Sequence, residues 1–262
     1  MDGLKHFRAQ AIIFDKDGTL IDFDAMWGGW IVYVAEQLQA VSGLDVHAAF
    51  YLEMGYDDNT KKVLPYGKLA SQPMALLYQL TVDVMLFFGL DAPEAERVVE
   101  RAWRVPDPIM LAKPLTDTRT LFSNLRKQGI QIAIATSDDR APTQAMIEAF
   151  DIEEFITTLV CGDDGIPSKP SPHMVLTVCE RLNIDPAKVM VIGDTASDLK
   201  MARAAGAGLA VGVLSGVSSA RELINYADVL IESIDELHAY ILKWEEAKSA
   251  QSQQGLDPDF AF

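Results

Sequence analysis

Asp15 and Asp17 stand two residues apart just after the apolar run Ala11–Phe14, and Gly18 follows them. Four apolar residues suit a buried strand and are too few for a helix, so both carboxylates sit on the turn that leaves a strand. The same situation recurs along the chain. Thr136 and Ser137 follow the apolar stretch 130–135, and Asp194 and Asp198 follow 189–192. Lys169 precedes a helical pattern in the same repeating context. In a parallel sheet such strand ends lie along one edge, at the crevice where open α/β sheets bind ligands, so residues far apart in sequence converge there.

The chemistry open to such a set is narrow. Neighbouring carboxylates repel one another unless a cation lies among them, and an all-oxygen donor set with room for water suits Mg²⁺. A hydroxyl, exposed backbone amides and one lysine complement the oxygens of a phosphoryl group, whose transfer is catalysed mainly by positioning and charge stabilisation. An aspartate can be the nucleophile, forming an aspartyl-phosphate that water later cleaves. A second carboxylate can protonate the leaving oxygen and then activate that water.

The elements that must position these groups follow from hydrophobic spacing. Residues 24–40 carry apolar side chains at helical spacing, including Trp27 and Trp30, with Asp24 as the expected cap. The two tryptophans fall on the apolar stripe and read as packing residues. Residues 55–73 are polar and interrupted by Pro65 and Gly67, as expected of a loop; helical patterns return over 74–88 and 92–103. No strand is expected between 21 and 114. From Leu115 onward helices and short apolar strands alternate, with strands expected at 130–135, 156–161, 189–192, 208–213 and 229–231. Such alternation predicts a mostly parallel sheet covered on both faces. The final stretch, 247–262, is rich in Gln, Ser and Asp and reads as a flexible tail.

Composition limits the partners. A chain of 262 residues, 49% hydrophobic, buries a large core, and a formal charge of −16 argues against nucleic acid or an anionic membrane surface. No signal-peptide pattern opens the chain, so a cytoplasmic location is expected, and the apolar segment 74–90 is too short and too interrupted to span a bilayer. Cys161 and Cys179 lack metal-ligand spacing and read as buried thiols.

Asp15-Lys-Asp-Gly-Thr-Leu20, Thr136 after an apolar strand, Ser168-Lys-Pro170 and Gly193-Asp-Thr-Ala-Ser-Asp198 resemble, in order and in context, the four motifs of the haloacid dehalogenase-like hydrolase superfamily. The resemblance covers residues 9–232, and the inserted helices resemble the cap of its phosphoglycolate phosphatase and β-phosphoglucomutase-like branch. It implies an α/β fold: a Rossmann-like parallel sheet core with an inserted all-helical cap domain. Residues 1–20 and 115–246 would form the core, 21–114 the cap and 247–262 the tail. Carried over residue by residue, it implies that Asp15 is the nucleophile and a Mg²⁺ ligand, and that Asp17 is the general acid/base with its backbone carbonyl on the metal. Thr136, Ser137 and Lys169 would bind the phosphoryl oxygens, and Asp194 would complete the metal site. Asp198 is left with two roles, holding metal-bound water or orienting Lys169.

Each residue also has a plain structural reading as a turn, a cap or a solvated charge, which the four motifs together outweigh. Lys16 stands where many relatives carry an apolar residue; strand alternation should turn it away from the nucleophile, so no catalytic role is expected of it. His173 departs from the acidic residue frequent in relatives and is expected to be structural. Retention of Asp17 points to phosphate esters, because the resembling dehalogenases and phosphonate-cleaving enzymes lack that carboxylate. The expected function is a Mg²⁺-dependent phosphatase for a small phosphorylated metabolite, phosphoglycolate-like or a sugar phosphate, acting as a monomer or homodimer. The alternatives are a β-phosphoglucomutase-like phosphomutase and a weakly catalytic phosphate-binding regulatory module. Lys68, beside Gly67 in the insertion, is the candidate specificity residue.

Overall fold

The structure, a computed structural model, describes residues 7–64, 67–72, 74–104 and 111–241, so the expected tail lies outside the described residues. In chain order the strands are β1 (Ala11–Phe14), β2 (Tyr56–Asp57), β3 (Lys62–Val63), β4 (Gln131–Ala135), β5 (Ile156–Val160), β6 (Val189–Gly193), β7 (Leu209–Val213) and β8 (Val229–Ile231). The helices are α1 (Gly29–Ser42), α2 (His47–Met54), α3 (Lys68–Ser71), α4 (Met74–Phe87), α5 (Ala92–Ala102), α6 (Thr118–Lys127), α7 (Arg140–Ala149), α8 (His173–Leu182), α9 (Ala196–Ala205) and α10 (Ala220–Leu223).

Six strands form one parallel sheet in the order β5-β4-β1-β6-β7-β8. The strand preceding Asp15 therefore lies inside the sheet, paired in register with β4 (Phe14 opposite Ile134) and β6 (Phe14 opposite Ile192). Both its faces are covered. Ile12, Phe14, Ile132, Ile134, Met190 and Ile192 pack with Leu121, Phe122 and Leu125 of α6 and Met146 and Ile147 of α7. Their alternates Ala11, Ile13, Ala133, Ala135 and Val191 pack with Met174, Val175 and Val178 of α8 and Leu199 and Met201 of α9. The small alanines on this second face let α8 and α9 approach closely. Phe14 and Phe122 meet with ring centroids 5.1 Å apart, and burying a side chain of this size stabilises the fold by about 1.5–3 kcal/mol. Cys161 and Cys179 are free and buried, as expected.

The inserted segment leaves and rejoins the sheet domain side by side: Asp22 N–H donates to the Lys113 carbonyl and Leu115 N–H to the Leu20 carbonyl, at 2.8 and 3.0 Å. It has its own apolar core, in which Trp30, Ile31, Val34 and Leu38 of α1 meet Phe50 and Met54 of α2, Met85 of α4 and Val99 of α5. Among its described residues the insertion is helical, with one strand pair against the all-helical expectation. Tyr56 and Asp57 pair antiparallel with Lys62 and Val63 within the stretch read as a loop. The Asp57 carboxylate builds the connecting turn by accepting from Asn59 N–H at 3.0 Å and the Thr60 hydroxyl at 2.8 Å. Asp24 is not the expected helix cap; its Oδ1 accepts the Val63 N–H at 2.8 Å, tying this hairpin to a π-helical turn, Asp24–Gly28, that leads into α1.

Candidate active site

Burial and pairing bring four of the expected residues into one cluster. Asp15 continues β1 by one residue, its N–H donating to the Ile192 carbonyl at 2.9 Å, and its side chain is 10% exposed. The Lys169 ammonium, on a side chain 5% exposed, bonds Asp15 Oδ1 and lies 2.6 Å from Asp198 Oδ1. Asp198 is fixed in turn by α9, because its Oδ2 accepts from Thr195 N–H at 3.1 Å and the Thr195 hydroxyl at 2.5 Å in a capping box. The pairing with Lys169 matches one of the two roles left open for Asp198. Carboxylate oxygens of Asp15, Asp194 and Asp198 lie within 4.8 Å of one another.

Asp194, at the end of β6, is buried by a loop that the sequence reading missed. Its Oδ2 accepts the Val217 N–H at 2.9 Å, while Ser215 Oγ donates to the Gly18 carbonyl at 2.8 Å, so the loop after β7 closes over the turn after β1. Gly18 adopts φ +81°, and a Cβ there would come within 2.5 Å of Asp194 Oδ2; one on Gly216 would come within 2.0 Å. The Ser215-Gly216 pair one residue beyond a strand was the available signal.

The electrostatics of this cluster are those of carboxylates short of cations. Burial raises the Asp15 carboxyl to about 7, with Lys169 pulling it down and the charges of Asp198 and Asp17 pushing it up. Burial, then Asp15 and Asp198, hold the Asp194 carboxyl well above the usual range. Burial opposes the Lys169 charge, but Asp15 and Asp198 outweigh it and keep the ammonium above its ordinary value. Asp194 Oδ1 is buried without a hydrogen-bond partner. A buried lone pair of this kind, in an all-oxygen cluster, fits a hard divalent cation.

Asp17 faces a second set of groups. Its carboxylate receives Lys16 Nζ at 3.1 Å on Oδ1 and 2.9 Å on Oδ2, and the Trp27 indole N–H at 2.9 Å on Oδ1. Lys16 is fully buried and also lies 2.9 Å from Asp138 Oδ2. The Lys16 ammonium pairs with Asp17 and Asp138 rather than with the expected nucleophile Asp15. Trp27 does pack, touching both the sheet core and the core of the insertion, and it carries a polar contact besides.

Thr136 is buried at the end of β4, where its hydroxyl accepts the Asp138 N–H at 3.1 Å; Ser137 is exposed beside it. By register these two stand next to the turn of Asp15 on the same sheet edge. Lys68 lies apart from this group of contacts, on α3, paired with Glu53 of α2. His173 bonds Ser171 Oγ at 2.6 Å at the start of α8, a local contact.

A doubly covered parallel sheet with a helical insertion, gathering a lysine and aspartates beside its strand ends, defines an α/β protein with an acidic site. The chain belongs to the haloacid dehalogenase-like hydrolases, whose family model matches residues 9–206. It is 30% identical over 235 residues to a phosphoglycolate phosphatase of Escherichia coli (strain K12), covering 87% of this chain and 90% of that protein. It is 25% identical over 228 residues to a phosphorylated carbohydrates phosphatase of Thermotoga maritima, covering 87% and 96% respectively. A solved haloacid dehalogenase-like family hydrolase from Streptococcus pneumoniae superposes with a TM-score of 0.60 at 19% identity over 92% of this chain and 99% of that one. The protein is thus a hydrolase of phosphate monoesters, of the phosphoglycolate phosphatase-like kind. Among the described residues no helix is long and apolar enough to cross a membrane.

Proposed function

We propose that this protein is a Mg²⁺-dependent phosphatase that hydrolyses a small phosphorylated acid or sugar through an aspartyl-phosphate on Asp15. The observation that carries the reading is the chain of contacts Asp15–Lys169–Asp198 beside Asp194, at the ends of β1 and β6. Asp15 attacks phosphorus in line with the leaving oxygen, and Asp17, two residues along the same turn, gives that oxygen its proton. Lys169, with Thr136 and Ser137, neutralises and orients the phosphoryl oxygens. Asp17, now ionised, takes a proton from the water that attacks the phospho-aspartate, which frees Asp15 and phosphate. Mg²⁺, when bound by Asp15, the Asp17 carbonyl and Asp194, supplies positive charge to this acidic cluster, with Asp198 at its margin.

The chain's relatives support the substrate class, since those reported above are named for phosphoglycolate and phosphorylated carbohydrates. In this reading residues 21–114 form a cap that excludes water and selects the substrate, with Lys68 as its candidate specificity residue. The test is phosphate release from a panel of small phosphate esters, with Mg²⁺ and with chelator, for the wild type and Asp15→Asn. Chelator-sensitive release that Asp15→Asn abolishes is expected; undiminished release from a folded Asp15→Asn protein would sink the mechanism.

A further inference from the structure

Lys16 is fully buried, and its ammonium pairs with two carboxylates other than that of Asp15. The Lys16 ammonium, on the turn after β1, ends between them, 2.9 Å from Asp17 Oδ2 and 2.9 Å from Asp138 Oδ2. Asp138 is itself fixed. Its N–H donates to Thr136 Oγ1 at 3.1 Å, its Oδ1 accepts the Asp139 N–H at 2.8 Å, and its carbonyl accepts the Gly162 N–H at 2.8 Å. Asp17, by contrast, sits on a tight turn, and its carboxylate is held by other side chains, the Lys16 ammonium and the Trp27 indole.

We propose that Lys16, braced by Asp138, is a positioning residue for Asp17, fixing the carboxylate that moves the proton, with Trp27 extending the brace to the inserted segment. The proposal rests on the reading of Asp17 as acid/base. A flexible lysine stem can span from one strand end to the next where no shorter side chain reaches, and an ammonium with three donors can serve two carboxylates at once. Asp17 is then oriented through Asp138 from the hydrogen-bonded loop that follows β4. Trp27 packs on both apolar cores, so the same carboxylate also registers where the insertion lies relative to the sheet.

The test separates positioning from folding by the leaving group. Lys16→Met, Lys16→Arg and Asp138→Asn are compared with wild type on an alkyl phosphate and on p-nitrophenyl phosphate, whose phenolate departs without needing a proton. With the alkyl ester, Lys16→Met and Asp138→Asn should lose about 10–100-fold in kcat with KM nearly unchanged, and Lys16→Arg should recover part of it. With the aryl ester the same variants should release p-nitrophenol in a burst close to one equivalent of enzyme. A slow steady state follows, because the phospho-aspartate forms but its hydrolysis lacks a placed base. Equal losses on both esters without a burst, or no loss at all, would overturn the proposal. If Lys16→Met does not fold by circular dichroism, Asp138→Asn decides by the same burst. Turnover surviving in Asp15→Asn would instead overturn the phospho-aspartate reading, whatever Lys16 does.

Discussion

Lys169 carries the largest electrostatic burden of any single side chain in the cluster. It is buried, and its ammonium donates to Asp15 and Asp198 together. Lys169→Met would leave two buried carboxylates facing each other, a change that typically costs about 3–5 kcal/mol when one partner of a buried pair is removed. In the proposed reaction it also removes the cation facing the phosphoryl oxygens, worth about 10²–10³ in kcat. Steady-state kinetics, with urea melts of the metal-free protein, should show both losses; a metal-free variant as stable as the metal-free wild type would refute the first. The meeting of Asp15, Lys169, Asp194 and Asp198 was legible in the sequence because each follows or precedes a recognisable element end. Lys16, Asp138 and Trp27 were not. Alternation along a strand says by which face a Cβ leaves, but not where a four-carbon stem returns its ammonium, and a tryptophan on an apolar stripe hides its N–H.

The site is assembled by loops that follow strands, and the loop after β7 shows how little room they leave. Gly216 lies where any Cβ would fall 2.0 Å from Asp194 Oδ2 and 2.4 Å from its Cγ. Gly216→Ala must therefore displace either the loop or the carboxylate. We expect a loss of about 1–3 kcal/mol from overpacking, and about a 10-fold or greater drop in divalent-cation affinity as Asp194 moves. Thermal melts and Mg²⁺ titrations of that variant check both, and unchanged affinity would show that the loop yields instead. Long elements were readable from their spacing: the six sheet strands and the helices on them appear where apolar runs alternate with amphipathic ones. The β2–β3 hairpin was not, because strands of two residues are too short for a period to register. What builds it is turn chemistry at Asp57 and a distant acceptor, Asp24, neither of which announces a strand.

For the molecule as a whole, the buried carboxylates couple folding to protonation and to metal. Asp15 is raised by burial from 3.8 to about 7, and Asp194 is also raised well above its ordinary value. Between the unfolded and folded values the folded chain binds more protons than the unfolded one, so metal-free stability should fall as pH rises through this window. A divalent cation binds the deprotonated groups, so its stabilisation should grow across the same window. Asp164 acts in the opposite sense: burial pushes its carboxyl up, but hydrogen bonds from Arg140 and the Cys161 N–H more than offset this and leave it lowered. That contribution is lost only as pH falls through the folded value, and it is common to both forms. In chelator, the melting temperature should therefore drop as pH rises from 3.8 to about 7, and Mg²⁺ should restore it at the upper end while doing little at the lower. A formal charge of −16 supplies a competing cause, since repulsion among surface acids also strengthens with pH. Salt separates them, because at about 1 M the screening length is about 3 Å and exposed charges cease to interact while buried ones do not. A slope that survives high salt and vanishes with Mg²⁺ belongs to the cluster at Asp15 and Asp194; one that salt removes belongs to the surface, and the linkage argued here fails.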